Sequence, residues 1–206
     1  MSGKFIVIEG LDGSGKGTQI ERLAASLYDI GIAVHITNEP TDGYIGKYLR
    51  QMLKNSENKD MCLQGALFLA DRLDHVTNPT NGIKSYLDKG ITVICDRYYY
   101  SSFAYQGTAA DMDWVMNMNL NAQSMLTPDL CIFFDVNPEE CMDRIAKTRE
   151  NPELYEKDID ITRKIRNNFH NVFARLQGEN IKIIDANRDI ATIAKETLDI
   201  VLEVLN

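Results

Sequence analysis

Five short aliphatic runs alternate with segments of helical periodicity, and this alternation limits the folds open to the chain. The runs are rich in β-branched and aromatic residues, which is typical of strands buried on both faces. They occupy residues 4–9, 33–37, 91–96, 130–136 and 181–185. The helical patterns include Ile20, Leu23, Leu27 and Ile30, then Ile45, Leu49 and Leu53, then 61–76, 113–126, 139–148, 158–177 and 189–205. Strands that alternate with helices form a parallel sheet, so we predict an α/β fold of three layers: a five-stranded parallel sheet flanked by helices.

Length, composition and charge narrow the class of protein. The chain has 206 residues, of which 44% are hydrophobic, and no segment rich in Gly, Pro or Ser divides it, so we predict one domain over residues 1–206. The net charge of -8 argues against a nucleic-acid partner, because proteins that track phosphate backbones carry a basic excess. No apolar run approaches the roughly 20 residues that span a bilayer, and the first ten residues are too short and too acidic for a signal peptide. We therefore expect a cytoplasmic protein with no membrane partner.

A glycine-rich loop joins the first predicted strand to the first predicted helix. Gly10, Gly15 and Lys16 fit the G-x-x-x-x-G-K pattern of a P-loop, in which backbone N–H groups surround a phosphate chain and the lysine neutralises its end. The residue after the lysine is usually Ser or Thr; here it is Gly17, and the hydroxyl follows at Thr18, a form familiar from adenylate kinases. We therefore predict a P-loop NTPase fold. The residues predicted to bind ATP are Gly10, Gly13, Ser14, Gly15, Lys16, Gly17 and Thr18.

Arginines outside the loop favour phosphoryl transfer over simple nucleotide binding, because transfer requires several cations around the reacting oxygens. Phe68 and Arg72 are four residues apart and so share a helix face. Asp96 and Arg97 follow a buried strand, at the sheet edge where parallel sheets bind ligands. A basic cluster at 144–150 precedes a charged, proline-containing segment.

Each of these residues also has a structural interpretation. Phe68 could belong to the core, and Arg72 could pair with a neighbouring aspartate on the surface. Asp96 could cap a helix, and the cluster at 144–150 could be a solvated helix face. Their joint occurrence beside a glycine loop favours function.

Together these motifs resemble the thymidylate kinase family along nearly the whole chain. The matching motifs are EGLDGSGK at 9–16, EP at 39–40, F-x-x-x-R at 68–72, DRY…S…AYQG at 96–107 and IDA at 184–186. The stretch at 96–107 is more specific than the glycine loop and separates this family from adenylate kinases. The resemblance implies phosphorylation of dTMP to dTDP with ATP, on the way to dTTP.

The resemblance also implies roles in dTMP binding. Asp12 accepts a hydrogen bond from the 3′-hydroxyl, Phe68 stacks on thymine, Arg72 reaches a base carbonyl and Arg97 binds the dTMP phosphate. Tyr105 lies under the deoxyribose, where a 2′-hydroxyl would collide with it. The remaining residues of the predicted dTMP site are Glu39, Ser101 and Gln106.

The family carries its catalytic arginine in one of two places, inside the glycine loop or in a lid. Gly13 occupies the loop position here, so the chain resembles the bacterial and archaeal arrangement with the arginine in the lid. We predict a lid at about 147–158, with Arg149 as the first candidate for the transition-state cation and Arg144 as the second. Glu153 or Glu156 belongs to the same lid.

A magnesium ion is the expected cofactor. Asp96 and Thr18 are its predicted ligands, acting through water, since Gly17 removes the usual direct hydroxyl ligand. The other predicted catalytic residues are Lys16 and Arg97. Asn38 stands where the family commonly has an arginine before the EP motif.

Three functions remain open from the sequence. A thymidylate kinase is favoured, a kinase for another nucleoside monophosphate such as AMP, CMP or UMP comes second, and a nucleotide-gated binding protein third. The expected partners are ATP, dTMP and a second copy of the chain in a homodimer, as is usual in the family.

Overall fold

The computed structural model describes residues 3–55, 60–148 and 158–205, and its centre is a five-stranded parallel sheet. The strands are β1 (Phe5–Gly10), β2 (Val34–Asn38), β3 (Thr92–Asp96), β4 (Leu130–Asp135) and β5 (Ile181–Asp185). Their order across the sheet is β2-β3-β1-β4-β5, and each neighbouring pair is parallel. The predicted α/β fold and all five predicted strands are confirmed.

Nine helices lie within the described residues. They are α1 (Lys16–Asp29), α2 (Tyr44–Asn55), α3 (Met61–Thr77), α4 (Ile83–Leu87), α5 (Tyr99–Gln106), α6 (Met112–Leu120), α7 (Pro138–Thr148), α8 (Ile159–Arg175) and α9 (Ile190–Leu205). The sequence patterns do not predict α4, which is a single short turn of helix, or α5. Every residue of α5 is buried, so this helix has no polar face and therefore no amphipathic period to detect.

Burial differs between the middle and the edges of the sheet. Strand β1 and nearly all of β3 and β4 are buried, as expected where helices cover both faces. The edge strands β2 and β5 are only partly covered, and Ile36 and Ile183 are 46% and 50% exposed. The prediction of burial on both faces is therefore wrong for these two strands, which have a neighbour on one side only.

The strand order determines which loops meet. Because β1 lies between β3 and β4, the glycine loop after β1 is next to the Asp96–Arg97 turn after β3 and next to the start of α7 after β4. These loops all leave the carboxyl edge of the sheet, where ligands bind in open parallel sheets. The predicted lid lies mostly outside the described residues, which resume at 158 just before α8. No helix in the described ranges is long and apolar enough to cross a bilayer.

Candidate active site

The glycine loop leads from β1 into the N-terminus of α1. Gly13 and Gly15 have φ of +79° and +89°, values that side chains rarely tolerate. Gly15 is the N-cap of α1 and no side chain caps the helix, so its first N–H groups lack that partner. The Lys16 ammonium donates to the carbonyls of Gly10 (3.2 Å) and Leu11 (3.0 Å), which holds it inside the loop. This is the geometry of a phosphate cradle.

Two hydroxyl-bearing residues of the loop differ in their surroundings. The Ser14 hydroxyl is buried and has no hydrogen-bond partner among the described residues. Thr18 is exposed on the first turn of α1. Burying a hydroxyl without a hydrogen-bond partner costs free energy unless a bound ligand provides the partner. The Ser14 hydroxyl is therefore suited to hydrogen-bond a bound phosphate.

Helix α7 closes one side of the loop. A Cβ atom at Gly13 would lie only 2.4 Å from the carbonyl oxygen of Cys141, so the loop has no room for a side chain here. On the same helix Arg144 donates from Nη1 to the Gly13 carbonyl (3.4 Å) and from Nε to Glu140 (2.9 Å). Of the two predicted lid arginines, Arg144 thus lies against the loop, whereas Arg149 falls outside the described residues, as do Glu153 and Glu156.

Arg97 connects the glycine loop to helix α5. Its Nη1 atom donates to the Gly10 carbonyl (3.2 Å) and to the Ser101 hydroxyl (3.0 Å), and its Nη2 donates to Asp12 (2.7 Å). The guanidinium lies over the ring of Tyr105, 5.0 Å from its centroid. Arg97 also has φ of +71°, a strained conformation for a non-glycine residue that is frequent at functional sites.

Asp12, a residue of the glycine loop, lies beside Arg97. Its second oxygen accepts a hydrogen bond from the Tyr105 hydroxyl (3.1 Å). Loss of solvent raises the pKa of Asp12, but the charges of Arg97 and Lys16 more than offset this and lower the pKa to about 2. The carboxyl is therefore ionised at neutral pH and only accepts hydrogen bonds.

A cavity beside the loop brings together all eight residues predicted to bind dTMP. Arg97 and Asp12 form its end nearest the loop, and α3 and α5 form its walls. The lining residues are Asp12, Glu39, Pro40, Leu53, Phe68, Arg72, Arg97, Tyr98, Ser101, Ser102, Tyr105 and Gln106. Phe68 is partly exposed in this cavity, so its interpretation as a core residue is wrong. Gln106 brings a side-chain oxygen that is buried and without a partner among the described residues.

Arg72 is buried in a network that the sequence did not predict. Its Nε and Nη2 both contact Glu39 (2.7 Å), while Nη1 donates to Asn119 (2.5 Å) and Nη2 also reaches Ser102 (3.1 Å). The guanidinium lies 5.3 Å from the ring centroid of Tyr98. Arg72 is therefore not a surface cation paired with a neighbouring aspartate. Asn119 gave no signal in the sequence because it lies on α6, far from any motif.

Glu39 is shared between Arg72 and a histidine. The Nδ1 atom of His75 lies 3.1 Å from Glu39, and its Nε2 lies 2.7 Å from the Thr37 hydroxyl. These contacts fix the Glu39 carboxylate between Arg72 and His75. His75 thus supports a residue of the site.

Glu9, the last side chain of β1 before the glycine loop, was also missed. It accepts hydrogen bonds from the backbone N–H groups of Tyr98 (2.9 Å) and Ser101 (3.1 Å) and from the Ser101 hydroxyl (2.6 Å). Burial raises the pKa of Glu9 to about 7, although the charge of Arg97 and these hydrogen bonds act in the opposite direction. The available signal was an acidic residue at the end of an otherwise aliphatic strand.

Asp96 is the residue best placed for a magnesium ion. One of its carboxylate oxygens is buried and has no hydrogen-bond partner among the described residues, and it ends β3 beside the loop. It does not cap α5, whose N-cap is Tyr98. No cluster of three His, Cys, Asp or Glu side chains suited to a metal occurs in the described part of the chain. A hard cation that keeps several waters and binds nucleotide phosphates needs only such a carboxylate, so the residues fit Mg²⁺.

Comparison with known proteins finds a family whose members are similar to this chain. The family model described as thymidylate kinase matches residues 8–197. A probable thymidylate kinase of Pyrococcus horikoshii is 37% identical over 209 residues, covering 96% of this chain and 98% of that protein. Thymidylate kinases of Exiguobacterium sp. and Ligilactobacillus salivarius are 33% and 34% identical, with coverage of 96% or more of each chain.

The matched region contains the glycine loop, Arg97 and every residue that lines the cavity. The relatives come from archaea and bacteria, in agreement with the arrangement that Gly13 predicted. Fold, loop and cavity therefore agree with the comparison, and the chain belongs to the thymidylate kinase family.

Proposed function

We propose that the protein transfers the γ-phosphoryl group of ATP to dTMP and forms dTDP and ADP. The observation that carries this proposal is the cavity beside the glycine loop, which eight residues of the predicted acceptor site line together. Arg97 spans the two sites, because it contacts both the Gly10 carbonyl of the loop and Ser101 of the cavity wall. Donor and acceptor phosphates bound to these groups meet at Arg97.

Phosphoryl transfer needs little covalent chemistry from the protein, and positioning and charge neutralisation do most of the work. The loop amides and Lys16 hold the β- and γ-phosphates of ATP. Arg97 orients the acceptor phosphate in line with the γ-phosphate. The acceptor oxygen is already ionised, so no general base is required.

The cavity selects the nucleoside. Phe68 stacks on thymine, Arg72 donates to a base carbonyl, and Gln106 lines the base pocket. Asp12, ionised and held by Tyr105, accepts the 3′-hydroxyl, while the Tyr105 ring leaves no space for a 2′-hydroxyl. Support comes from the positions of these side chains around one cavity.

Asp96 and Thr18 would hold a magnesium ion, acting through water. When bound, the ion neutralises charge on the β- and γ-phosphates. The unpartnered oxygen of Asp96 supports this assignment. Arg144 and Arg149 stabilise the charge on the transferring group, and for Arg144 the contact with the Gly13 carbonyl is the support.

Three further proposals concern the whole protein. We infer that the chain folds as one domain with a lid at about 147–158, that it acts in the cytoplasm and that it forms a homodimer. Support for the dimer comes from apolar side chains exposed on the neighbouring helices α3 and α6: Leu63, Trp114 and Leu120.

The test is ADP release with ATP and Mg²⁺ against a panel of acceptors: dTMP, dUMP, dGMP, AMP, CMP and UMP. We expect the highest rate with dTMP, a rate with dUMP lower by about 10 to 200-fold because one methyl group separates them, and negligible rates with ribonucleotides. Arg97→Ala should lose activity by orders of magnitude and remain folded. AMP as the best acceptor would overturn the proposal, and ATP binding without any acceptor-dependent ADP release would indicate a binding protein instead.

A further inference from the structure

Glu9 is a fully buried carboxylate, 0% exposed, directly before the glycine loop. Burial of an ionisable group costs free energy unless hydrogen bonds compensate, so a buried glutamate is expected to have a structural or functional role. Glu9 does not line the acceptor cavity and cannot touch the base or sugar from its place in β1. Its hydrogen bonds go instead to the turn between Arg97 and the first residues of α5.

The two backbone donors to Glu9 belong to the N-terminus of α5. Tyr98 is the N-cap of this helix and has no side-chain cap of its own. Glu9 accepts from the N–H of Tyr98 and of Ser101, so it acts as the cap from a neighbouring strand. A negative charge at a helix N-terminus is also favourable toward the helix dipole. Glu9 thereby fixes the start of α5 relative to β1.

The third donor, the Ser101 hydroxyl, links Glu9 to Arg97. Ser101 donates to Glu9 Oε2 (2.6 Å) and accepts from Arg97 Nη1 (3.0 Å). When Glu9 is ionised, the direction of this chain is fixed, because a carboxylate only accepts and a guanidinium only donates. With its proton directed at Glu9, Ser101 presents its lone pairs to Arg97.

We propose that Glu9 is a positioning residue that acts through Ser101 to hold Arg97 ready for the acceptor phosphate. Arg97 has a strained backbone at φ +71°. The two parts of the site that it contacts are both fixed to Glu9: the glycine loop follows Glu9 directly in the chain, and the first turn of α5 is hydrogen-bonded to it. The inference rests on the proposed function, since it assumes that Arg97 binds the phosphate of the acceptor.

Glu9→Gln tests the link with little change in shape. The amide oxygen can still accept from the two backbone N–H groups, but the amide nitrogen donates toward Ser101. Ser101 then faces two donors, the amide and Arg97, and its own proton loses the carboxylate acceptor. Glu179→Gln is the matched control, because Glu179 also accepts from α5, through the hydroxyls of Tyr99 and Tyr100, and does not contact Arg97.

The readout is the ratio of dissociation constants for thymidine and dTMP, measured by calorimetry. Thymidine lacks the phosphate, so the ratio isolates the contribution of phosphate contacts and leaves out the base and sugar. We expect the ratio to fall about tenfold or more in Glu9→Gln, toward its value in Arg97→Ala, with thymidine affinity nearly unchanged. Glu179→Gln should keep the wild-type ratio.

The outcomes separate the inference from the proposed function. If wild-type protein binds thymidine and dTMP equally, Arg97 does not bind the acceptor phosphate and the proposed function fails. If the wild-type ratio is large and Glu9→Gln keeps it, or loses affinity for both ligands alike, the inference alone is wrong. Should Glu9→Gln not fold, Ser101→Ala cuts the same link and retains the backbone contacts of Glu9; an unchanged ratio there also overturns the inference.

Discussion

Two glycines of the same loop, Gly13 and Gly17, have opposite surroundings. Gly13 has φ of +79° and a Cβ there would lie 2.4 Å from the Cys141 carbonyl oxygen, whereas Gly17 is helical and a Cβ there would meet nothing within 4 Å among the described residues beyond its own turn of helix. We expect Gly13→Ala to lower the free energy of unfolding by about 2 kcal/mol or more, because it adds backbone strain and a clash with main chain. Denaturant unfolding measures this.

Gly17→Ala is the matched control for stability. Alanine at a helical position is more stable than glycine by about 0.5–1 kcal/mol, so this variant should unfold at a slightly higher denaturant concentration. An equal loss in both variants would mean that the loop tolerates no Cβ anywhere. The contact of Gly13 with α7 would then not be the reason for its glycine.

At the scale of elements, Glu9 joins strand β1 to helix α5, and its ionisation should affect stability. Its pKa is about 7 in the folded protein, above the ordinary value of 4.5, so between these values the folded state binds more protons than the unfolded state. The stability of wild-type protein relative to Glu9→Gln should therefore decrease as pH rises from 4.5 to 7, by about 3 kcal/mol in total, and level off above that. Urea unfolding of both proteins across this range gives the difference.

Arg97 and Lys16 are the charged groups that oppose this shift of the Glu9 pKa. Both cations are present in both proteins, so their own titration cancels in the comparison, whereas their attraction for ionised Glu9 is part of what the comparison measures. A difference that stays constant between pH 4.5 and 7 would show that Glu9 keeps an ordinary pKa. In that case the three hydrogen bonds and the two cations compensate fully for its burial.

Elements of different kinds differed in how well the sequence predicted them. The five strands were found because aliphatic runs signal strands in a parallel sheet, and the longer amphipathic helices because one face is polar. Helix α5 was missed because it is buried on all sides. The exposure of Ile36 and Ile183 was also missed, since edge position depends on strand order and not on the strand's own residues.

Residues of the candidate site also differed in how well the sequence predicted them. Residues in motifs, such as Phe68 and Arg97, could be predicted because their spacing is local and their chemistry is distinctive. Asn119 and Ser102 could not, since they reach Arg72 only through the packing of α6 and α5 against α3. Contacts between residues distant in sequence leave no local pattern in a single chain.

At the scale of the whole molecule, helices α3 and α6 carry an apolar surface that is open to solvent in one copy of the chain. Trp114 is 42% exposed and packs over Gly65 of α3, with Leu63 and Leu120 also exposed on these two helices. Large apolar residues grouped on neighbouring helices are typical of a surface that a partner covers. This surface supports the proposed homodimer, and we propose that the contact lies on α3 and α6.

The double variant Leu63→Asp and Leu120→Asp should convert a dimer into a monomer, because two charges would be buried unpaired in each half of the contact. Sedimentation velocity gives the mass, and Trp114 adds a second signal because it is the single tryptophan of the chain. Its emission should lie at longer wavelength in the variant than in the wild type, where the partner excludes water. Tyr28→Asp, on the exposed side of α1, should change neither signal. The dimer would be contradicted if wild-type protein sediments as a monomer at all concentrations, with emission equal to that of the double variant. If the double variant remains a dimer, the contact lies elsewhere on the protein.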